Sequence, residues 1–345
     1  MEHSERREQA IRALLEERRA DVNEAIPEEL PIEPPERLYE ASRYLLDAGG
    51  KRLRPALLLL VAEAIAEVEP GSEPYRSFPA GDGEPVDVLK AAISVEVIQS
   101  FTLIHDDIMD DDDLRRGVPA VHEQFDLETA ILAGDTLYSK AFEMMLETNA
   151  PSERSIRALY TLARTCTQIC EGQALDIAYE HRDDVTIEEY LDMIELKTAV
   201  LFEAAASVPA ILLGADDETT EALGRYGRRV GMAFQIHDDV LDLTVPSEKL
   251  GKQRGSDLVE GKRTLITLHA QRNGVPVDAL RPDAANETAI EAVVAELEAA
   301  GSLEFARQKS RDLVEAGRAE LSVLAETPAR TLLDELATFL VERGY

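Results

Sequence analysis

Residues 86–105, VDVLKAAISVEVIQSFTLIH, set apolar side chains at 89, 93, 97, 101 and 104, with 92 alongside. That is the stripe of a helix, and the segment is apolar enough to be largely buried. The same period reads as helices over about 5–24, 36–48, 53–68, 128–147, 152–172, 187–213, 217–244, 287–299, 302–325 and 328–343. No stretch alternates apolar and polar residues between turn signals, so strands are not expected. Two segments break the pattern: EVEPGSEPYRSFPAGDGEP (67–85) and NGVPVDALRPDAANE (273–287). Both are rich in Pro, Gly and acids and read as exposed loops. Apolar helices resume at once after each, so neither is a linker, and residues 1–345 read as one all-α domain.

The charge balance narrows the function. A formal net charge of −32 excludes a nucleic-acid binder, which needs a basic face to neutralise phosphates. The acids are spread along the chain, and lysine is scarce, 8 against 28 arginines. That balance suits a cell of high internal salt, where screening removes most self-repulsion. Lysines kept in such a chain are candidates for function, and Lys51, Lys197, Lys252 and Lys262 each stand beside glycines or acid clusters. No run of eighteen apolar residues suggests a membrane span. The N-terminal stretch is charged and helical in pattern, unlike a signal peptide. Cys166 and Cys170, one helical turn apart, read as two reduced thiols on a helix. The expected location is the cytoplasm.

Two nearly identical heptapeptides close two of the helices: IHDDIMD at 104–110 and IHDDVLD at 236–242. On a helix, Asp106 and Asp110 lie about 40° apart on one face, with Asp107 flanking. Asp238, Asp239 and Asp242 repeat the pattern. Like charges at that spacing destabilise a helix unless cations sit on them. Hard carboxylates without cysteine point to Mg²⁺, which takes one or two carboxylates plus waters and substrate phosphate oxygens. In so acidic a chain one such cluster would be an ordinary solvated face; two at the ends of apolar helices are not. An EF-hand counted from Asp112 puts Gly117 and Glu123 in place, but Leu114 and Arg116 fall on ligand positions, so it fails. His105 and His237 point roughly 100° away from the acids that follow them and read as packing residues.

Cations accompany both clusters. GGKRLRP (49–55) offers Lys51 and Arg54, RRG (115–117) follows the first cluster, KT (197–198) lies on a helix, and GKQRGSDLVEGK (251–262) follows the second. Arginine suits bidentate phosphate contacts and lysine suits point-charge contacts. The set reads as a clamp for diphosphate.

From GGKRLRP through DDIMDDDDLRRG, EGQALD (171–176), KT, FQIHDDVLD (234–242) and GKQRGSDLVEGK, the chain resembles the trans-prenyl diphosphate synthases of farnesyl and geranylgeranyl type, archaeal members among them. The resemblance implies the isoprenoid synthase fold, a single-domain bundle of mainly antiparallel helices around a central cavity, as a homodimer. It implies that Asp106, Asp107, Asp110, Asp238, Asp239 and Asp242 bind Mg²⁺ and hold the allylic diphosphate. It implies allylic contacts from Arg115, Lys197 and Lys252, with Thr198 and Gln235 nearby, and an isopentenyl diphosphate site at Lys51, Arg54 and Arg116. Gln99 stands where many relatives carry His, and Lys262 is a further phosphate contact. The first motif keeps the short DDxxD spacing, and among the extra acids Asp111, Asp112 and Asp113 the favoured last ligand is Asp110. Catalysis would then rest on Asp106, Asp110, Lys197 and Asp238: ionisation of the allylic C–O bond, attack by the isopentenyl double bond, and loss of a proton.

Phe101 and Thr102, five and four residues before Asp106, flank the expected product channel. A Phe floor with Thr beside it favours geranylgeranyl diphosphate, with farnesyl diphosphate as intermediate or co-product; a farnesyl-specific enzyme is the alternative. Phe101 also reads as an ordinary core residue. A His-Asp phosphohydrolase would have no use for GGKRLRP. A non-catalytic synthase subunit would normally lack one aspartate motif, and a terpene cyclase the isopentenyl clamp.

Overall fold

The structure, a computed structural model, describes residues 2–81, 83–246, 254–276 and 287–342. Fifteen α-helices occupy most of these: α1 (Glu2–Glu29), α2 (Glu36–Asp47), α3 (Leu53–Ala66), α4 (Val88–Met109), α5 (Val121–Gln124), α6 (Leu127–Leu146), α7 (Ser152–Glu180), α8 (Ile187–Ile194), α9 (Val200–Leu213), α10 (Asp217–Thr244), α11 (Ser256–Glu260), α12 (Leu265–Arg272), α13 (Glu287–Ala299), α14 (Ser302–Glu320) and α15 (Pro328–Glu342). A π-helical turn, Glu195–Ala199, joins α8 to α9, so 187–213 is one continuous helix with a bulge.

The expectation of no strands needs one correction. Leu114–Arg115 (β1) and Val118–Pro119 (β2) pair antiparallel. Arg116 (φ 54°) and Gly117 (φ 78°) form the loop between them, and two successive positive φ angles are what a tight hairpin of the I′ type requires. Two-residue strands are too short to show alternation. Helices α5, α11 and α12 lie outside the expected helices; α12 is started by Thr264 and Thr267, which cap each other reciprocally without the usual acid. The 67–85 segment is exposed in part, but Tyr75 and Phe78 are buried and anchor it. Residues 277–286 of the second expected loop lie outside the described residues.

The chain divides into two compact units. The first holds residues 1–166, 201–224 and 321–336. Its centre is α3, apolar all round, with Leu57 to Val61 fully buried. Helix α4 packs along α6 and α3, and Ser94 donates to the Ala141 carbonyl at 2.8 Å where α4 and α6 come close. Helix α1 is pinned by Arg18, which donates to both oxygens of Glu63 at 2.7 and 2.6 Å, each residue 1% exposed. Tyr75 and the Gly71 amide add donors to the same carboxylate, so no part of that buried charge is left unmatched.

The second unit holds residues 167–200, 225–320 and 337–345. Tyr190, Ile194, Ile236, Val240, Leu265 and Leu297 belong to its core. Ser310 on α14 donates to the Ala233 carbonyl on α10 at 2.9 Å.

Two helices, Val88–Met109 and Ile187–Leu213, are long and apolar enough to cross a membrane by length and composition. Here 72% and 78% of those stretches are buried inside the protein, so both are core helices.

Candidate active site

In the first unit the site is built on the end of α4. Asp87 starts that helix by accepting the Lys90 amide at 2.8 Å. Its last turn carries Asp106 and Asp107, and Asp110 closes it. Acids at a helix C-terminus oppose the helix dipole, so their charge needs partners. Arg115 Nε donates to Asp107 Oδ1 at 2.6 Å, and its Nη2 bridges Asp107 and Asp112. Asp107 is fully buried; burial pushes its carboxyl up to about 6, against the pull of Arg115. Its Oδ2 has no hydrogen-bond partner among the described residues. Asp106 and Asp110 are half-buried.

Upstream on the same helix, Gln99 and Thr102 are half-buried, with the Thr102 hydroxyl donating back to the Gln99 carbonyl at 2.9 Å. Phe101 is half-buried and lies in an aromatic row, 5.0 Å from the His105 ring and 5.2 Å from Tyr138, which meets Phe142 at 4.6 Å. His105 turns to α6, its Nε2 3.2 Å from the Ile131 carbonyl. A Cβ at Gly134 would stand 2.2 Å from that ring, so the glycine makes room for it.

The GGKRLRP turn belongs to the same unit. Lys51 is exposed, and Arg54 is half-buried with its guanidinium 4.3 Å over the Phe202 ring. Arg116 lies against this turn: it donates to the carbonyls of Leu45, at 2.9 Å, and Gly49. Behind both stands Glu96, a buried acid that sequence reading passed over. A single Glu in the apolar stretch AAISVEVIQSF was the available signal, since a buried charge must be paired.

In the second unit the π turn carries the KT pair, a distortion common at functional sites. A Cβ at Gly172 would stand 2.2 Å from the Lys197 backbone nitrogen, so α7 packs directly on this turn. Lys197 Nζ pairs with Asp176 of EGQALD at 2.5 Å. The Thr198 hydroxyl donates to Gln235 Oε1 at 2.9 Å, Gln235 Nε2 donates to Asp239 at 3.0 Å, and the buried Tyr190 hydroxyl donates to Asp239 at 2.6 Å. Burial, and then the charge of Asp257, push the Asp239 carboxyl well above the usual carboxylate range. Asp242 is 1% exposed and accepts from Ser256 at 2.9 Å, holding the turn into α11. Asp238 is half-buried. A cleft of about 100 Å³ is lined by Asp176, Tyr190, Lys197, Thr198, Gln235, Asp239, Asp257, Lys262 and Arg263. Tyr190 and Arg263 had no signal in the motif pattern, and Asp257 lies within GKQRGSDLVEGK without having been singled out. Lys262 sits 2.7 Å from Glu260. Lys252 lies outside the described residues.

The sequence matches the polyprenyl synthetase family over residues 35–298, which includes every motif above. The chain belongs to the polyprenyl synthetase family. It is 66% identical to the geranylfarnesyl diphosphate synthase of Natronomonas pharaonis, over 97% of this chain and 98% of that one. It is similar in structure to the geranylgeranyl pyrophosphate synthetase of Geoglobus acetivorans, with a TM-score of 0.86 and 43% identity over 96% of this chain and 100% of that one. A polyprenyl synthase of Caulobacter crescentus, solved with calcium and isoprenyl diphosphate, gives a TM-score of 0.82 and 32% identity over 97% of this chain and 98% of that one. As a polyprenyl synthetase family member, this chain is a trans-prenyltransferase of isoprenoid biosynthesis with the all-α isoprenoid synthase fold.

Among the described residues, no three His, Cys, Asp or Glu side chains converge as a ready metal cage. That is compatible with Mg²⁺, which keeps waters and substrate phosphates and needs few protein carboxylates. The donor chemistry fits such an ion: hard oxygens only, on the half-buried Asp106, Asp110 and Asp238 near the ends of two helices.

Proposed function

We propose that this enzyme condenses isopentenyl diphosphate with allylic diphosphates and that its main product is geranylgeranyl diphosphate, with farnesyl diphosphate as intermediate or co-product. One observation carries the reading: in both aspartate motifs the first acid, Asp106 or Asp238, stays half-exposed, while the second, Asp107 or Asp239, is buried against protein donors. Charge concentrated and left accessible at two helix ends is costly unless cations bind there.

Asp106, Asp110 and Asp238 would hold Mg²⁺, which neutralises charge on the departing pyrophosphate. The burial of Asp107, Asp239 and Asp242 gives those three a holding role. Arg115, Lys197 and Lys262, with Lys252, are assigned to the allylic diphosphate, and Lys51, Arg54 and Arg116 to isopentenyl diphosphate, with Gln99 as an amide donor to phosphate. Lys197 supplies a point charge, and its pairing with Asp176 keeps the ammonium in place until a phosphate competes for it. Thr198 and Gln235 form a donor chain that ends on Asp239, so their polar atoms are fixed before substrate arrives. The allylic C–O bond breaks, the isopentenyl double bond forms the new C–C bond, and a proton leaves to the released pyrophosphate.

The product assignment rests on Phe101 as a floor beside the smaller Thr102. A second reading, a product one isoprene unit longer, is favoured by the 66% identity to a protein named geranylfarnesyl diphosphate synthase. The family match from 35 to 298 spans both units and supports one functional domain. Exposed apolar side chains on α6 (Leu127, Ile131, Leu132, Leu146) and α7 (Ile156, Tyr160) support a homodimer built on that face. Two free cysteines support a cytoplasmic location, and the net charge supports a high salt optimum.

The test is incubation with labelled isopentenyl diphosphate and dimethylallyl, geranyl or farnesyl diphosphate in Mg²⁺ and high salt, followed by chromatography of the dephosphorylated products. Label in a twenty-carbon alcohol is expected. Label only at fifteen or twenty-five carbons overturns the chain length, and no incorporation with any primer overturns the activity.

A further inference from the structure

Glu96 is 3% exposed in the middle of α4. Its Oε1 accepts from Arg52 Nη1 at 2.5 Å and lies 3.4 Å from Arg116 Nη2. Arg52 also donates to the Leu46 carbonyl at 2.6 Å and to Asn23 at 2.9 Å. Both arginines hold left-handed backbone, φ 48° at Arg52 and 54° at Arg116. Residues other than glycine persist there only where their surroundings over-determine them. Both meet the Glu96 carboxylate, and both donate to carbonyls around the end of α2, Arg52 to Leu46 and Arg116 to Leu45 and Gly49. They differ in reach: the Arg52 side chain is fully buried, whereas Arg116 is 18% exposed. A Cβ at Gly50 would stand 3.1 Å from the Arg116 guanidinium carbon, so turn and hairpin approach as closely as glycine permits.

We propose that Glu96 is a positioning residue for isopentenyl diphosphate: its carboxylate ties the GGKRLRP turn to the 114–119 hairpin, so that Lys51, Arg54 and Arg116 present one fixed clamp. This rests on the assignment of those three cations to isopentenyl diphosphate. Glu96 touches no substrate and acts through the two arginines. Arg52 is committed to holding the turn, and Arg116 keeps one edge for the ligand. Removing the carboxylate charge leaves Arg52 with Asn23 and the Leu46 carbonyl, and Arg116 with the Leu45 and Gly49 carbonyls, but takes away the one charge that meets both, which loosens the isopentenyl clamp and leaves the allylic contacts untouched.

The test uses the full-length enzyme with Glu96→Gln, which keeps the shape and removes the charge, and Glu96→Asp. Glu63→Gln is the control, because Glu63 is an equally buried, arginine-paired acid elsewhere in the same unit. The Michaelis constants are measured for isopentenyl diphosphate at saturating farnesyl diphosphate and the reverse, beside melting curves. Glu96→Gln is expected to raise the isopentenyl constant about tenfold or more and the primer constant by less than about twofold. Glu96→Asp recovers part of the loss, and carries the same readout if the Gln variant does not fold. Glu63→Gln lowers the melting temperature without separating the two constants. A parallel rise of both constants in the Glu96 variants, or the same split in Glu63→Gln, overturns the proposal. Failure of the unsubstituted enzyme to incorporate isopentenyl diphosphate would overturn the proposed reaction instead.

Discussion

The ends of α4 and α10 carry almost the same seven residues and solve the same problem with different neighbours. At both, helix geometry buries the second acid and leaves the first half-exposed. At α4 the buried Asp107 is held by a cation, Arg115; at α10 the buried Asp239 is held by two neutral donors, Tyr190 and Gln235. The fifth positions differ more. Asp110 caps its helix half-exposed, whereas Asp242 is buried and fastens the following turn. Local sequence sets the rhythm of exposure, and the packed neighbours decide what each acid does. Arginine at the first site already offsets part of the charge there. At the second site Lys197 and Lys262 line the same cleft as Asp239, and burial raises the carboxyl of Asp239 as it raises that of Asp107.

The largest effect belongs to the half-exposed acids. Asp106→Ala and Asp238→Ala should each cut condensation by roughly 10²–10³-fold or more with the fold retained, read by steady-state incorporation beside circular dichroism. Near-normal turnover in either would remove that site from the metal-binding role.

Next come the glycines behind each motif. A Cβ at Gly172 meets the Lys197 backbone, which cannot move aside, while a Cβ at Gly134 meets the His105 ring, a side chain. Gly134→Ala should cost roughly 1–3 kcal/mol of stability, as overpacking does. Gly172→Ala should cost more, and should also lower kcat by displacing the π turn. Thermal melts and turnover of the pair decide it; greater damage from Gly134→Ala would mean that the turn at 195–199 tolerates displacement.

The helices and both aspartate motifs were legible because period and charge are written locally. The long α4 stripe, the 187–213 segment and the acids at 104–110 and 236–242 all appear where the pattern puts them. What was not legible depends on partners distant in sequence. Nothing around Tyr190 announces that its hydroxyl meets Asp239. The π bulge at 195–199 lies directly against Gly172, a contact between residues more than twenty positions apart. The hairpin at 114–119 is too short for periodicity, and only the positive φ of Arg116 and Gly117 marks it. All six acids were expected to bind metal, with Asp106, Asp110 and Asp238 singled out for catalysis, and those three are the half-exposed ones while the other three are enclosed.

A smaller effect separates the two substrate clamps. Lys51→Ala should raise the Michaelis constant for isopentenyl diphosphate about tenfold with little change for the primer, and Lys197→Ala the reverse, as loss of one charged phosphate contact predicts. Equal shifts for both substrates in either variant would show that the clamps are one.

The smallest effect on rate is expected at Phe101. The ring is half-buried and packs on Tyr138 and His105, so Phe101→Ala should cost less than the roughly 3–5 kcal/mol of a fully buried Phe. It should lengthen the product with activity kept. An unchanged product with a large fall in melting temperature would make Phe101 a core residue only.

The division between acting and holding acids is tested most directly by four matched substitutions: Asp106→Asn, Asp107→Asn, Asp238→Asn and Asp239→Asn, compared for kcat across a Mg²⁺ titration. The expected result is a loss of roughly 10²-fold or more at Asp106 and Asp238, with a raised Mg²⁺ requirement. At Asp107 and Asp239 the loss should be much smaller, with the Mg²⁺ requirement unchanged. Equal losses and equal shifts in Mg²⁺ requirement at all four positions would contradict it.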